Sequence, residues 1–452
     1  MQLDRKRPIF AWAMYDWANS AFATTVMAGF FPLFFKQYWC VNTDVNVSTA
    51  RLGLANSLAG ITIALLAPIL GAIADKGSAR KKFLIFFAYL GVVMTTGLYL
   101  VAQGNWAWAV IFYVLATIGF SGGNIFYDAL ITIVASEKKM DVVSALGYSL
   151  GYLGGGLLFA LNVWMMLKPQ TFGFADKAAA VKFSFLTVGL WWAGFTLPLI
   201  LLVKEPKGDS APIAIMTIKA GLVRLQNTFR EIRRLKVVFL FLLAYWLYID
   251  GVDTIVRMAV DYGLSIGFEG RDLILALLIV QFVGFPCALA FGFLGRRLGP
   301  QRAIFWALAV YSLVTVWAAF MTQKNEFYLI AVFIGLVQGG IQALSRSYYT
   351  RLIPPNKSAE FFGFYNMLGK FAVVIGPVLV GSVALLAKNL GFSTNAASRL
   401  SIASIAILFV TGGILLYFVN EQKGNEQLKY LRNDNSPNQV LQTIRAPGRK
   451  NG

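Results

Sequence analysis

Twelve apolar segments, each long enough to cross a lipid bilayer as a helix of roughly 20 residues, follow one another along this 452-residue chain. They lie near residues 10–35, 52–74, 83–102, 106–130, 142–167, 183–203, 237–260, 272–294, 303–321, 326–345, 364–387 and 400–419. Charged residues make up only 13% of the chain, about half the share found in soluble domains. Buried helices of a large soluble protein are usually shorter and amphipathic, so they do not account for this pattern. The sequence therefore predicts an all-α membrane protein with twelve transmembrane helices.

Basic residues give the chain a formal net charge of +19, and their positions decide what that charge means. A nucleic-acid-binding protein gathers Lys and Arg on one exposed face or tail, whereas here they lie mainly in the gaps between apolar segments. The N-terminus, every second gap and the C-terminal tail hold 29 of them, and the opposite gaps hold nine. Because Lys and Arg accumulate on the cytoplasmic side, we predict cytoplasmic termini, an inner or plasma membrane, and no nucleic-acid partner.

The chain has two cysteines, Cys40 and Cys287, and no histidine. A disulfide framework and a Cys/His metal site are therefore implausible, and we predict neither a metal nor a cofactor. The sequence also lacks the motifs of metalloproteases, serine hydrolases and phosphate-binding loops, so we predict that it is not an enzyme. Without histidine, a side chain that carries a proton near neutral pH must be a carboxylate.

The polar gaps divide the chain into two six-helix parts, residues 1–203 and 237–420. The segment between them, 204–236, carries eight Lys and Arg residues, and its second half predicts a basic amphipathic helix lying on anionic headgroups. A regulatory partner site and a simple linker are the alternatives for this segment. The tail, 421–452, is polar and rich in Asn and Gln, which predicts disorder.

A short motif recurs at the same place in both parts. GAIADKGSARKK begins at Gly71 after the second apolar segment, and GFLGRRLGPQR begins at Gly292 after the eighth. Gly147 and Gly363 form a second pair, each just inside an odd-numbered helix. Glycine lets helices approach closely, so we predict two pseudo-symmetric halves that meet at a cytoplasmic gate, the alternative being loops whose charges only fix the topology. The predicted gate residues are Gly71, Asp75, Lys76, Arg80, Lys81, Gly292, Arg297, Gly299 and Arg302.

Both copies resemble the loop signature of the major facilitator superfamily, which is close to GxLADRxGRRR. The first copy departs from it at Ser78, and the second has Arg296 at the acidic position. GYSLGYLGGG, from Gly147 to Gly156, is similar to the glycine-rich antiporter motif of that superfamily, with Tyr152 in place of its proline.

Longer strings resemble a narrower family, the vacuole effluxers, which are fungal autophagy-related vacuolar amino-acid effluxers with many bacterial relatives. These strings are YDWANSAFATTV in the first helix, GYLGGG in the fifth, GLVQGGIQALSRS in the tenth, and EFFGFYN at the start of the eleventh. The resemblance implies the major facilitator fold and a small-molecule substrate. It also implies that the first, fourth, seventh and tenth helices line the central cavity.

Polar side chains inside the apolar segments are candidates for the transport site, because an unpaired charge in hydrocarbon costs several kcal/mol. Asp250, Asp253 and Arg257 are spaced so that all three share one face of the seventh helix. Asp253 and Arg257 are predicted to pair, which leaves Asp250 without an obvious partner and makes it the predicted proton carrier. The full set of predicted substrate- or proton-binding residues is Asp16, Asn19, Asn124, Tyr127, Asp128, Asp250, Asp253, Arg257, Gln338, Gln342, Arg346, Asn366 and Lys370.

Carboxylates, amides, basic groups and aromatic rings around one cavity suit a zwitterion such as an amino acid. Arg346 or Lys370 would bind its carboxylate, and Asp16 or Asp250 its ammonium group. We therefore predict a secondary transporter that moves amino acids or similar small polar metabolites, in the direction of efflux, by alternating access coupled to protons.

Several alternatives stay open at this point. The chain could export amphipathic drugs or lipid-like compounds, or it could be a receptor or scaffold that transports nothing. The charged residues inside the helices could form a static salt-bridge network that fixes helix packing. Arg346 could simply extend to the membrane surface, and Asp128 could be a charge at that surface.

Overall fold

The computed structural model describes residues 3–41, 43, 45–77, 79–206, 218–265 and 270–434. Most of these residues are helical, and we number the membrane helices α1 to α12. Their bounds are Lys6–Trp39 (α1), Val45–Gly77 (α2), Arg80–Gly97 (α3), Trp106–Val134 (α4), Met140–Leu167 (α5), Lys177–Leu202 (α6), Lys236–Ser265 (α7), Gly270–Leu298 (α8), Pro300–Phe320 (α9), Lys324–Leu352 (α10), Ser358–Asn389 (α11), and Thr394–Ala403 with Ala406–Tyr417 (α12).

The helices confirm the predicted all-α membrane fold. Among the described residues, eleven segments are long and apolar enough to cross a membrane, corresponding to α1–α10 and α12. The remaining helix, α11, has 32 residues and an apolar last part, Val378–Asn389. Large apolar side chains such as Trp306, Leu201 and Leu313 are 65–72% exposed on the outer surface, as expected where lipid is the solvent.

Helix α1 departs from regular α geometry in two places. It becomes a π-helix over Phe22–Phe30 and again over Phe35–Trp39. Thr24 and Thr25 lie in the first of these segments and are buried. π-Helical turns widen a helix locally and are frequent at functional sites, and nothing in the residue pattern predicts them.

Contacts between the two six-helix halves follow a symmetric plan. Helix α5 of the first half packs against α8 and α10 of the second, and α11 of the second packs against α2 of the first. Glycine makes the closest approaches possible: a Cβ on Gly71 would lie 2.2 Å from the Ala359 carbonyl oxygen, and one on Gly292 would lie 2.4 Å from the Ala145 Cβ. These two glycines are the first residues of the repeated motifs.

Both ends of the described chain lie at one face of the bundle, which we call the terminal face. The Asp4 amide donates to the Val134 carbonyl at the end of α4 (3.1 Å). Arg351, at the end of α10, pairs with Glu421 (3.5 Å) and with Asp141 at the start of α5 (2.6 Å). A chain that crosses the membrane an even number of times has both of its ends at the same face.

Among the described residues, two further α-helices lie outside the membrane set: the linker helix, Ile218–Arg234, and the tail helix, Glu421–Asp434. The prediction of a disordered tail is wrong for Glu421–Asp434, because this segment is helical and packs Gly424 against Leu352 and Val237. Residues 207–217 and 435–452, which complete the predicted linker and tail, lie outside the described residues.

Candidate functional site

Arg346 of α10 is the centre of the candidate site. It is 1% exposed, and its guanidinium group is bound by residues of the other half. Nη1 lies 3.1 Å from Asp128 Oδ1 and 3.7 Å from Asp16 Oδ2. Nε donates to Ser144 Oγ (2.9 Å), and Nη2 donates to the Ser144 carbonyl (2.8 Å). One cation of the second half is therefore held by α1, α4 and α5 of the first.

Aromatic rings surround this guanidinium group. Its central carbon lies 4.4 Å from the ring centroid of Tyr148, 4.9 Å from that of Trp12 and 5.2 Å from that of Tyr127. Tyr127 also donates to Asp16 Oδ2 (2.9 Å) and stacks on Trp12. Cation–π attraction adds to the ion pairs, and the rings exclude water from them.

The backbone of α5 must come close to the side chains of α1 and α4 for this cluster to form. A Cβ on Gly147 would lie 2.6 Å from the Tyr127 hydroxyl and 2.8 Å from Asp16 Oδ2. Helix α11 completes the cluster, because Asn366 Nδ2 donates to Asp128 Oδ2 (3.0 Å). Five helices of both halves thus meet around two carboxylates and one guanidinium group.

The structure brings together five of the predicted site residues, Asp16, Tyr127, Asp128, Arg346 and Asn366. Two alternatives for single residues are wrong: Arg346 does not extend to the membrane surface and Asp128 is not an exposed surface charge, since each is less than 10% exposed. Sequence reasoning missed the neighbouring Trp12, Ser144 and Tyr148, whose side chains are not charged. The glycine motif beginning at Gly147 contains Tyr148 and lies next to Ser144, whereas no motif in the sequence pointed to Trp12.

Asp250 of α7 lies in different surroundings. It is fully buried, and its carboxylate accepts hydrogen bonds from the Gly376 amide (3.0 and 3.2 Å) and from the Thr254 hydroxyl (3.2 Å). The expectation that Asp250 lacks a partner is therefore wrong, because its partner is a backbone amide of α11. Asp253 is half-buried one turn further along. The side chains of Arg257 and Lys370 lie outside the described residues, so the predicted Asp253–Arg257 pair stays a prediction.

Amide side chains lie one turn from the cluster on the same helices, since Asn19, Asn124 and Gln342 follow or precede Asp16, Asp128 and Arg346 by three or four residues. Asn19 Nδ2 donates to Asn124 Oδ1 (2.6 Å), and the Tyr152 hydroxyl donates to Gln342 Oε1 (3.4 Å). Gln338 Oε1, one turn away on α10, is buried and has no hydrogen-bond partner among the described residues. A buried polar atom without a partner is costly, so this oxygen is suited to bind a polar substrate.

The first motif copy contacts α11 at the terminal face. Asp75 accepts from the Ala359 amide (3.1 Å) and the Glu360 amide (2.9 Å) at the start of α11, and it pairs with Arg80 (2.7 Å). A carboxylate at a helix N-terminus is favoured by the helix dipole. Lys81 donates to backbone carbonyls at the end of α6 (2.5 and 2.8 Å). The side chain of Lys76 lies outside the described residues.

The second motif copy is arranged differently. Arg297 and Arg302 are exposed, and Gly299, with φ +89°, forms the turn into α9. The contact between the halves at this position is made instead by Asp141 of α5, which accepts from Ser347 (2.5 Å) and pairs with Arg351 of α10. Sequence reasoning missed Asp141 and Arg351 because they lie outside the repeated motif.

Gly71→Ala should open the terminal face. The added methyl group would overlap the Ala359 backbone, which cannot rotate aside, so α2 and α11 must separate. The measurement is the alkylation rate of a Ser358→Cys reporter, fully buried at the start of α11, with Cys40 and Cys287 replaced by Ser. The rate should rise at least tenfold in Gly71→Ala.

Gly60→Ala is the control, because Gly60 lies on the same helix and has open space around the position of its Cβ. This variant should leave the alkylation rate unchanged. Equal rates in both variants would contradict this role of Gly71.

Known proteins resemble this chain in sequence and in fold. The family model described as "Vacuole effluxer Atg22 like" matches residues 40–429. The MFS-type transporter YxiO of Bacillus subtilis is 38% identical over 92% of this chain and 95% of its own length. Autophagy-related protein 22 of Yarrowia lipolytica is 26% identical over 66% of this chain and 54% of its own. The crystal structure of the human organic anion transporter MFSD10 (TETRAN) shares the fold with a TM-score of 0.70 and 16% identity, covering 92% of this chain and 100% of that one.

Proposed function

This chain belongs to the vacuole effluxer Atg22-like family of major facilitator transporters, and on that premise we propose that it exports amino acids or similar small polar metabolites by alternating access coupled to protons. In this proposal the protein lies in an inner or plasma membrane with its terminal face toward the cytoplasm. The count of Lys and Arg in the gaps between helices supports that orientation.

The observation that carries the proposal is the buried Arg346 of one half between two carboxylates of the other. The halves cannot separate at the terminal face without breaking these contacts, and a buried charge left unpaired costs several kcal/mol. A ligand must therefore replace the lost partners. The carboxylate of an amino acid can replace Asp128 on Arg346, and its ammonium group can replace Arg346 beside Asp16. Such a ligand favours the open arrangement because only that arrangement leaves room for it.

Two buried polar atoms support a small polar substrate. Gln338 Oε1 is a buried acceptor and Trp246 Nε1 is a buried donor, and neither has a hydrogen-bond partner among the described residues. A substrate with both donors and acceptors can hydrogen bond to these two groups and so compensate the free-energy cost of their desolvation. A purely apolar compound leaves them unpaired. These groups favour amino acids over amphipathic drugs.

Asp250 is the proposed proton carrier. Its buried carboxylate accepts hydrogen bonds from two neutral donors, the Gly376 amide of α11 and the Thr254 hydroxyl. A carboxylate in such surroundings alternates between the charged and the protonated form at modest cost when its hydration changes. Movement of α7 against α11 would change that hydration and couple proton release to the opening of the transporter.

A transport screen tests this function. Inverted membrane vesicles containing the protein, supplied with a panel of labelled amino acids, should accumulate at least one of them when a pH gradient is imposed. Accumulation should collapse when a protonophore is added. Extrusion of amphipathic dyes without amino-acid transport would favour the drug-exporter alternative. Absence of both flux and binding would favour a receptor or scaffold.

A further inference from the structure

The inner face of the linker helix is attached to the start of α11. Thr228 is buried and hydrogen bonds to Glu360, and Glu231 pairs with Lys357 (2.7 Å). Ile232 is also buried against the bundle. The amides of Ala359 and Glu360 bind Asp75 of α2 at the same helix end, as described above. The linker helix therefore fixes the part of α11 that closes the terminal face.

The outer face of the same helix is basic and exposed. Arg230, Arg233 and Arg234 are spaced so that they share one face, and all three are exposed. Phe229 beside them is 46% exposed. The acidic residue within this turn, Glu231, pairs with Lys357, and among the described residues no carboxylate pairs with the three arginines, so the outer face carries positive charge next to an aromatic ring.

The position of this face relative to the membrane follows from how the helix ends. The Leu235 amide donates to the Glu231 carbonyl and the Phe239 amide donates to the Leu235 carbonyl (both 3.0 Å), so the chain passes into membrane helix α7 with only a bend. The three arginines therefore lie within about two helical turns of Lys236, the first residue of α7. Headgroups of the lipid leaflet occupy that level.

We propose that the outer face of the linker helix, formed by Phe229, Arg230, Arg233 and Arg234, binds the headgroups of anionic phospholipids at the terminal face. The arginines complement the phosphate charge, and the phenylalanine ring enters the interfacial region. Each basic residue at such a surface strengthens binding roughly fivefold. Because the inner face holds α11, bound lipid stabilises the arrangement in which the terminal face is closed.

Thermal unfolding of the full chain in nanodiscs tests this inference independently of any transport activity. The Tm should be several degrees higher in a mixture of phosphatidylglycerol and phosphatidylcholine than in phosphatidylcholine alone. The combined substitutions Arg230→Gln, Arg233→Gln and Arg234→Gln should remove most of that difference. The matched control replaces three exposed arginines, Arg296 and Arg297 at the end of α8 and Arg302 at the start of α9, by Gln and should keep the difference in Tm.

Three outcomes would overturn the inference. The first is an equal Tm in both lipid compositions, which would indicate that the outer face contacts a protein partner or solvent rather than anionic lipid. The second is an equal loss in the two triple variants, which would indicate general charge attraction rather than a site. The third is the same stabilisation by inorganic phosphate added to phosphatidylcholine nanodiscs, which would indicate a response to free anions. Stabilisation by the anionic lipid alone, lost only with the linker arginines, supports the site.

Discussion

Arg346→Gln is expected to abolish transport and to lower the free energy of unfolding by roughly 3–5 kcal/mol. Glutamine retains some hydrogen bonding to Ser144 but leaves Asp128 and Asp16 as buried carboxylates without a cation. Flux into proteoliposomes and denaturant unfolding in detergent measure the two effects. Arg302→Gln removes an exposed arginine of the terminal face and should change the stability by no more than about 0.5 kcal/mol.

A double variant separates a role in transport from a role in packing. Adding Asp128→Asn to Arg346→Gln removes one of the unpaired carboxylates, so part of the lost stability should return. Transport should stay absent, because no guanidinium group remains to bind the substrate carboxylate. If both stability and flux returned, Arg346 would belong to a static network and the proposed mechanism would be contradicted.

Asp250→Asn is expected to abolish flux driven by a pH gradient while leaving the fold intact. Asparagine has nearly the same shape, and its oxygen can still accept from the Gly376 amide, so the stability should change by no more than about 1 kcal/mol. It cannot release a proton. Exchange of labelled for unlabelled substrate across the membrane, which needs no net proton movement, should persist in this variant.

The control for Asp250→Asn is Asp176→Asn, which replaces an exposed helix-capping aspartate by an equally good capping residue. This control should retain both pH-driven flux and exchange. Wild-type pH-driven flux in Asp250→Asn would remove Asp250 from proton coupling, and the loss of exchange as well would point to a structural role.

The fold could be predicted largely from the sequence because crossing a membrane is a local requirement. Roughly 20 apolar residues suffice to identify a spanning helix, whatever its neighbours are. Close approach of helices is also visible locally, since Gly71 and Gly292 stand at equivalent places in the two halves. The structure confirms both glycines as points of contact between halves.

The partners of the charged residues could not be predicted in the same way. Arg346 and Asp128 are 218 residues apart, and no local pattern links them. The partner of Asp250 is the backbone amide of Gly376. Because every residue except proline has a backbone N–H group, the residue type at this position does not reveal the contact. The sequence shows that Arg296 replaces the acidic residue of the second motif copy, but it does not show that Asp141 on a different helix makes the contact with Arg351 instead.

The Arg346 cluster is expected to hold the two halves together at the terminal face. Spin labels attached at Lys138→Cys and Arg297→Cys, two exposed positions on opposite halves, report the distance between the halves when Cys40 and Cys287 are replaced by Ser. Pulsed electron spin resonance should give a mainly short distance in the otherwise unchanged protein. Adding Arg346→Gln should shift the main population to a longer distance. An unchanged distance distribution would show that the halves stay closed without the cluster and would contradict this role of Arg346.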